Sequence, residues 1–148
     1  MKLDSFTADG RLFLALSKRS TEQSCIDFTT LFKQGEFPKG VHIIREGEAF
    51  LILFSPTGRI LASFHAGPGS VLGIPAVVGL GAPYTLTAVA RKGSSVGFIE
   101  TKEFLDLLAA DPSLYPLVIN LLSAEVRAAR STLAGQGVTV RFESRETA

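Results

Sequence analysis

The sequence has one cysteine, Cys25, and two histidines, His42 and His65. A lone thiol forms no internal disulfide and cannot hold an iron–sulfur cluster, which needs several. The two histidines form no His-x-His pair, so the paired-imidazole set of a barrel metalloenzyme is missing and no metal site is expected. Charge of one sign is scarce as well. Fifteen basic residues against fourteen acidic ones leave a net charge of +1, so no global field attracts nucleic acid or an anionic membrane. The apolar stretch Leu12–Leu16 is far too short to span a bilayer, and the start "MKLDSFTADG" lacks the apolar core of a signal peptide. A reducing cytoplasm is the expected compartment, with no membrane partner.

What is present describes a folded, turn-rich chain. Hydrophobic residues make up 46%, with 14 Gly, 7 Pro and 11 Phe in 148 residues, enough for one domain with a real core. Residues about 11–18 read as a short helix. From about 25 to 100, short β-branched and aromatic runs alternate with Gly and Pro turns, which predicts six to eight antiparallel strands. The clearest hairpin is "AFLILF-SPTG-RILASF", with Pro56 at the second turn position and Gly58 at its end. Pro75 opens a one-turn helix at "IPAVV", and "TLTAVA" (85–90) returns to strand.

After residue 100 the period becomes helical. One helix starts at Thr101, with Phe104, Leu105, Leu107 and Leu108 on its apolar face, and Asp111-Pro112 ends it or caps the next. A second helix runs from Tyr115 to about Leu133, with Pro116 tolerated in its first turn and Gly135 stopping it. Its apolar stripe contains Leu117, Val118, Leu121, Leu122, Val126, Ala129 and Leu133, while Glu125, Arg127 and Arg130 sit mostly off it. Part of the stripe should pack on the strands, and Val118, Leu122, Val126, Ala129 and Leu133 should pair with a second copy. The fold class expected is mainly β with flanking helices: an antiparallel β-roll or jelly-roll barrel (double-stranded β-helix) followed by a long C-terminal dimerisation helix. The domain spans 1–134. In the tail, 135–148, Val138, Val140 and Phe142 alternate as in a strand, a pattern a disordered end also permits.

The run "FPKGVHIIREGEAFLILFSPTGR" ahead of "GPGSVLG" carries a more specific signal. The glycine-ended Val41–Gly47 segment, the Gly58-Arg59 hairpin and the Pro68-Gly69 turn, in that order, resemble the sensor domain of the Crp/Fnr superfamily of cyclic-nucleotide binders. The similarity runs from about Phe28 to Leu133. In that family a phosphate-binding cassette follows. A glycine lets backbone approach the anion, a short helix offers free N–H groups, and an arginine clamps the phosphate through a bidentate fork.

The corresponding segment here runs from Val71 to Thr87. The resemblance assigns the ligand pocket to Val71, Leu72, Gly73, Ile74, Pro75, Ala76, Val77, Pro83, Tyr84, Thr85, Leu86 and Thr87. Gly73, Pro83, Thr85 and Thr87 fit the family pattern, whereas Ile74 takes the place of the ribose-binding carboxylate and Tyr84 that of the arginine. A charge-assisted hydrogen bond contributes about 1.5–3 kcal/mol, so losing both should weaken cyclic AMP or cyclic GMP binding by roughly two to four orders of magnitude. Pro75 removes a further N–H donor. The pocket is then expected to be apolar, open to another small effector or filled by its own side chains, with Tyr84 large enough to occupy the phosphate position. Restoring Glu at 74 and Arg at 84 should bring cyclic-nucleotide affinity back if the pocket is merely edited.

The function expected from this resemblance is a non-enzymatic regulatory sensor, part of a transcription regulator or standing alone, acting as a homodimer on a small-molecule effector and holding no certain cofactor. Fifteen residues after Leu133 leave no room for a helix-turn-helix, so direct DNA contact by this chain is not expected. A ligand-free dimerisation scaffold is the alternative. A cupin-like metalloenzyme is the reading from a third class.

Overall fold

The computed structural model describes residues 6–79 and 82–135; within the last helix, side chains are described for 115–127 and 130. The chain starts with helix α1 (Gly10–Ser17), whose N-cap Asp9 accepts the Arg11 N–H at 2.8 Å and whose Leu12 and Leu16, one turn apart, are buried. Strands β1 (Thr21–Ser24), β2 (Thr29–Phe32), β3 (Gly40–Glu46), β4 (Ala49–Phe54), β5 (Ile60–Ala66) and β6 (Val71–Leu72) follow. Helix α2 (Ile74–Val78) interrupts the roll before β7 (Thr87–Ala90) and β8 (Ser95–Glu100), and α3 (Thr101–Ala110), a 3-10 turn (Pro112–Leu114) and α4 (Tyr115–Gly135) complete it. The strands form two antiparallel sheets, ordered β1-β8-β3-β6 and β2-β7-β4-β5.

The first sheet is covered on both faces, and strand alternation shows how. Along β3, Val41 and Ile43 face the helices, joining Val71, Ile99, Leu12, Phe104 and Leu108, while Ile44 faces the roll interior with Leu51, Phe64, Leu72 and Val96. Successive side chains point to opposite faces, so a strand buried on both sides reads as a continuous apolar run. Asp111 does both jobs allowed to it: it ends α3, and its carboxylate accepts the Ser113 N–H at 3.3 Å. Arg11 ties α1 to the same turn through the Ser113 carbonyl at 3.1 Å and hydroxyl at 2.6 Å. In the β4–β5 hairpin, Gly58 donates to the Ser55 carbonyl at 2.9 Å, as the Pro56 spacing predicts.

Three details depart from expectation. The roll begins at Thr21, because Thr-Glu-Gln-Ser is fully exposed and carries no apolar signal; its ladder with β8 places it. Thr85 and Leu86 precede β7 rather than belonging to it. Helix α3 starts at Thr101 as expected, with Glu100 as the N-cap, but Leu105 is exposed beside the buried Phe104, Leu107 and Leu108. No single helix among the described residues is long and apolar enough to cross a membrane. The tail pattern at Val138, Val140 and Phe142 lies outside the described residues.

Candidate cassette and the cavity beneath the last helix

Strand β6 ends at Gly73, whose φ of 93° lies in the left-handed region and admits the sharp turn into α2. Pro75 sits in the first turn of that helix, where the missing N–H costs no internal bond. The space that Gly73 leaves is taken by Tyr84. A Cβ at position 73 would lie 3.1 Å from Cε1 of its ring.

Tyr84 is held on every side. Its ring stacks on Phe32 with centroids 4.0 Å apart and planes at 16°. Its hydroxyl donates to the Gly40 carbonyl at 2.9 Å and accepts the Lys39 N–H at 3.2 Å. Its own N–H donates to the Glu36 carbonyl at 2.8 Å, and its carbonyl accepts the Gly35 N–H at 2.8 Å. The residue is only 4% exposed. The void left against it, among Phe32, Leu51, Gly73, Pro75, Ala76 and Leu86, is about 20 Å³, room for one water at most.

The stacked Phe32 and Tyr84 also line a larger open cleft of about 420 Å³, bordered by Glu22, Glu36, Phe37, Lys39, His42 and Phe98. His42 lies between Phe32 and Phe98, with centroids at 5.7 and 4.9 Å, and burial lowers its pKa to about 4. His65 is on the exposed side of β5 against Phe50, in the other sheet. Among the described residues no group of three or more His, Cys, Asp or Glu could hold a metal ion.

On the cassette side, a third cavity of about 230 Å³ opens between the roll and α4. It is lined by Phe6, Leu53, Phe64, Pro75, Thr85, Leu86, Glu125 and Val126. Among the described residues of the lining, Glu125 is the one acid or base. Its Oε1 is shut off from solvent without a hydrogen-bond partner, and burial raises its pKa to about 8. A carboxyl with one oxygen closed off in apolar surroundings favours the uncharged form, because burial penalises the anion.

The twelve predicted pocket residues therefore separate. Gly73, Pro75, Ala76, Tyr84, Thr85 and Leu86 line the small void, and Leu72 joins the roll core above it. Val71, Ile74 and Val77 do not belong to the pocket: they point to the opposite side, into the core shared with α1, α3 and α4. Ile74 is fully buried there, so placing Glu at 74 would bury a carboxylate among aliphatic side chains instead of facing a ribose. Pro83 is exposed, and the Thr87 hydroxyl faces the roll exterior, accepting the Gln34 N–H at 3.0 Å. On α4, Val118 is buried in the chain's own core and Leu122 packs against it, while Val126 is exposed; the side chains of Ala129 and Leu133 lie outside the described set. Phe6, Phe32, Leu53, Phe64 and Glu125 are site residues that the motif reasoning missed. Glu125 had a legible signal: it follows Val118 and Leu121 at seven and four positions, the spacing of the buried face.

Comparison with known proteins agrees with this architecture. No curated protein sequence matches the chain. In fold it resembles the Thermus thermophilus catabolite activator protein, at 24% identity and a TM-score of 0.60 over 91% of this chain and 60% of that one. It resembles the N-terminal domain of a transcriptional regulator from Streptomyces coelicolor A3(2), at 19% identity and 0.60 over 87% and 88%. It also resembles the regulatory domain of Toxoplasma gondii PKA, solved with cAMP, at 20% identity and 0.63 over 85% and 47%. The chain thus spans 60% of the activator's length, less than two thirds. Its residues 27–111 match the family described as the cyclic nucleotide-binding domain, a stretch that includes both sheets' paired strands from β2 to β8, the Gly73 turn and Tyr84. A match over more than half its length, together with the two-sheet roll, makes this chain a member of the cyclic nucleotide-binding domain family.

Proposed function

We propose that this chain is a non-enzymatic, cytoplasmic regulatory sensor module whose phosphate position is filled by its own Tyr84, so that it binds cyclic AMP or cyclic GMP weakly or not at all. Its boundaries are about 1–134, within a longer transcription regulator or as a stand-alone relative, and it makes no direct DNA contact itself. The observation that carries the reading is Tyr84 in the space beside Gly73, bonded to Gly40 and Lys39 and stacked on Phe32. Charge supports it. Among the described residues no Arg or Lys lines the void or the cavity under α4, and the carboxyl there, Glu125, offers an anionic ligand no countercharge. Calorimetry with cyclic AMP and cyclic GMP should give no binding tighter than roughly 100 μM, following the loss of two charge-assisted contacts. A submicromolar dissociation constant for either nucleotide would overturn the reading.

Signal output, in this proposal, passes through α4, whose side chains form part of the cavity wall, to a homodimer interface. The dimer face is revised by what remains exposed: Ile119 at 57% and Val126 at 43%, with half-buried Leu122 between them at helical spacing. Ile119→Asp together with Val126→Asp should halve the mass seen by light scattering at tens of micromolar, with the circular dichroism spectrum unchanged. An unchanged dimer mass would remove this face from the interface.

A further inference from the structure

Within the cyclic-nucleotide roll, the cavity under α4 has the wrong charge for a phosphate. Its walls are Phe6, Leu53, Phe64, Pro75 and Leu86, with Glu125 projecting from the helix above. An unpartnered buried carboxyl oxygen is costly, because the group has given up water and received nothing in return. Buried polar side chains are ordinarily satisfied, so such an atom calls for a missing donor. The cavity has the room for one. Its volume of about 230 Å³ lies a little below the range of roughly 300–1,000 Å³ usual for small-molecule sites, and its described lining is mostly apolar, with Glu125 and Thr85 as its polar side chains.

We infer that this cavity binds a small cationic amphiphile, an amine on a compact apolar body, whose ammonium group pairs with Glu125 while the body packs against Phe6, Leu53, Phe64 and Leu86. The inference rests on the sensor reading above and names the effector class for it. The pairing follows from the chemistry of the donor set. A neutral donor would satisfy Oε1, but a cation also restores the ionised carboxylate through a charge-assisted bond in a low-dielectric surrounding. The raised pKa of Glu125 fits a site lacking its countercharge. The other charged groups of the large outer cleft, Glu22, Glu36 and Lys39, lie on the far side of the Phe32–Tyr84 pair and do not line this cavity. Binding would be read out directly, since the residue that grips the ligand belongs to α4, the helix that carries the proposed interface.

Three probes with one ring and different heads test this on the intact chain: 2-phenylethylamine, 2-phenylethanol and phenylacetate. Calorimetry should show the amine binding at least about tenfold tighter than the alcohol, the increment expected from one charge-assisted contact, and no heat from phenylacetate. Glu125→Gln should cost the amine about tenfold or more and change the alcohol by less than about threefold, with a melting temperature no lower than that of the native chain. Equal affinities for the three heads, preference for the anion, no heat from any probe, or an amine preference that survives Glu125→Gln would each overturn the inference. A Glu125→Gln effect confined to dimer mass would also overturn it, by assigning the carboxyl to a second copy of the chain. Cyclic AMP titrated in parallel separates the two readings. Tight cyclic AMP binding defeats the sensor proposal, whereas silence from both cyclic AMP and the amines defeats only the ligand class.

Discussion

Replacing Tyr84 with alanine lowers the free energy of unfolding by about 3–5 kcal/mol, the range for deleting a buried aromatic ring whose surroundings cannot close over the hole. The surroundings are indeed rigid. Phe32 is stacked against one face of the ring, Gly73 is locked in a left-handed turn, and the Gly40 and Lys39 backbone groups belong to a loop and strand already committed to β8. Tyr84→Phe separates the two parts of the effect. It keeps the stack but leaves the Gly40 carbonyl without its hydroxyl donor, at a cost of about 1–3 kcal/mol. Urea denaturation of the three proteins measures both differences. An alanine variant within 1 kcal/mol of the native chain, roughly the scale of an ordinary surface change, would mean that the ring is not integral to the cassette.

Raising the pH from 6.5 to 8 destabilises the native chain, which is the reverse of what buried, paired carboxylates produce. Glu125 is pushed from its ordinary 4.5 to about 8, so between these values the folded state holds a proton that the unfolded state has released. Stability is therefore fully present below 4.5 and lost as pH rises towards 8, by up to about 4 kcal/mol over the whole window, with about 1–2 kcal/mol of it between 6.5 and 8. His42 acts in the opposite sense at lower pH. Its folded pKa of about 4 lies below the ordinary 6.5, so its contribution is complete above 6.5 and is lost as pH falls towards 4. The two windows overlap between 4.5 and 6.5 with opposite slopes, which leaves the upper window as the clean test of Glu125. Urea midpoints at pH 6.5, 7 and 8 should fall steadily for the native chain and stay level for Glu125→Gln. A level native profile would show that α4 lets water reach the carboxyl.

Much of this was legible before any coordinates. Gly58, Gly73 and Pro75 specify local backbone geometry by themselves, because a positive φ or a missing N–H is a property of one residue. The Pro56–Gly58 hairpin, the short cassette helix and the start of α4 at Tyr115 were placed for that reason. That position 84 carries a tyrosine rather than a cation was also visible, and with it the expectation that the ring occupies space in the cassette. Strand β1 was not, since Thr21–Ser24 has neither apolar alternation nor β-branched run and exists because β8 offers an unpaired edge.

The amino-acid sequence by itself determined the family of the fold and put a tyrosine rather than a cation at position 84, because both are written in residue types at fixed order along the chain. Only the tertiary structure decided which cavity each residue faces. Ile74 turned into the helix-side core and Pro75 into the pocket, although they are neighbours in one short helix. Glu125, spaced like a core residue, arrived beneath α4 opposite Phe6 and Phe64, well over fifty positions away in the chain. Such pairings depend on how sheets and helices stack, a balance of many non-local contacts that no local pattern encodes.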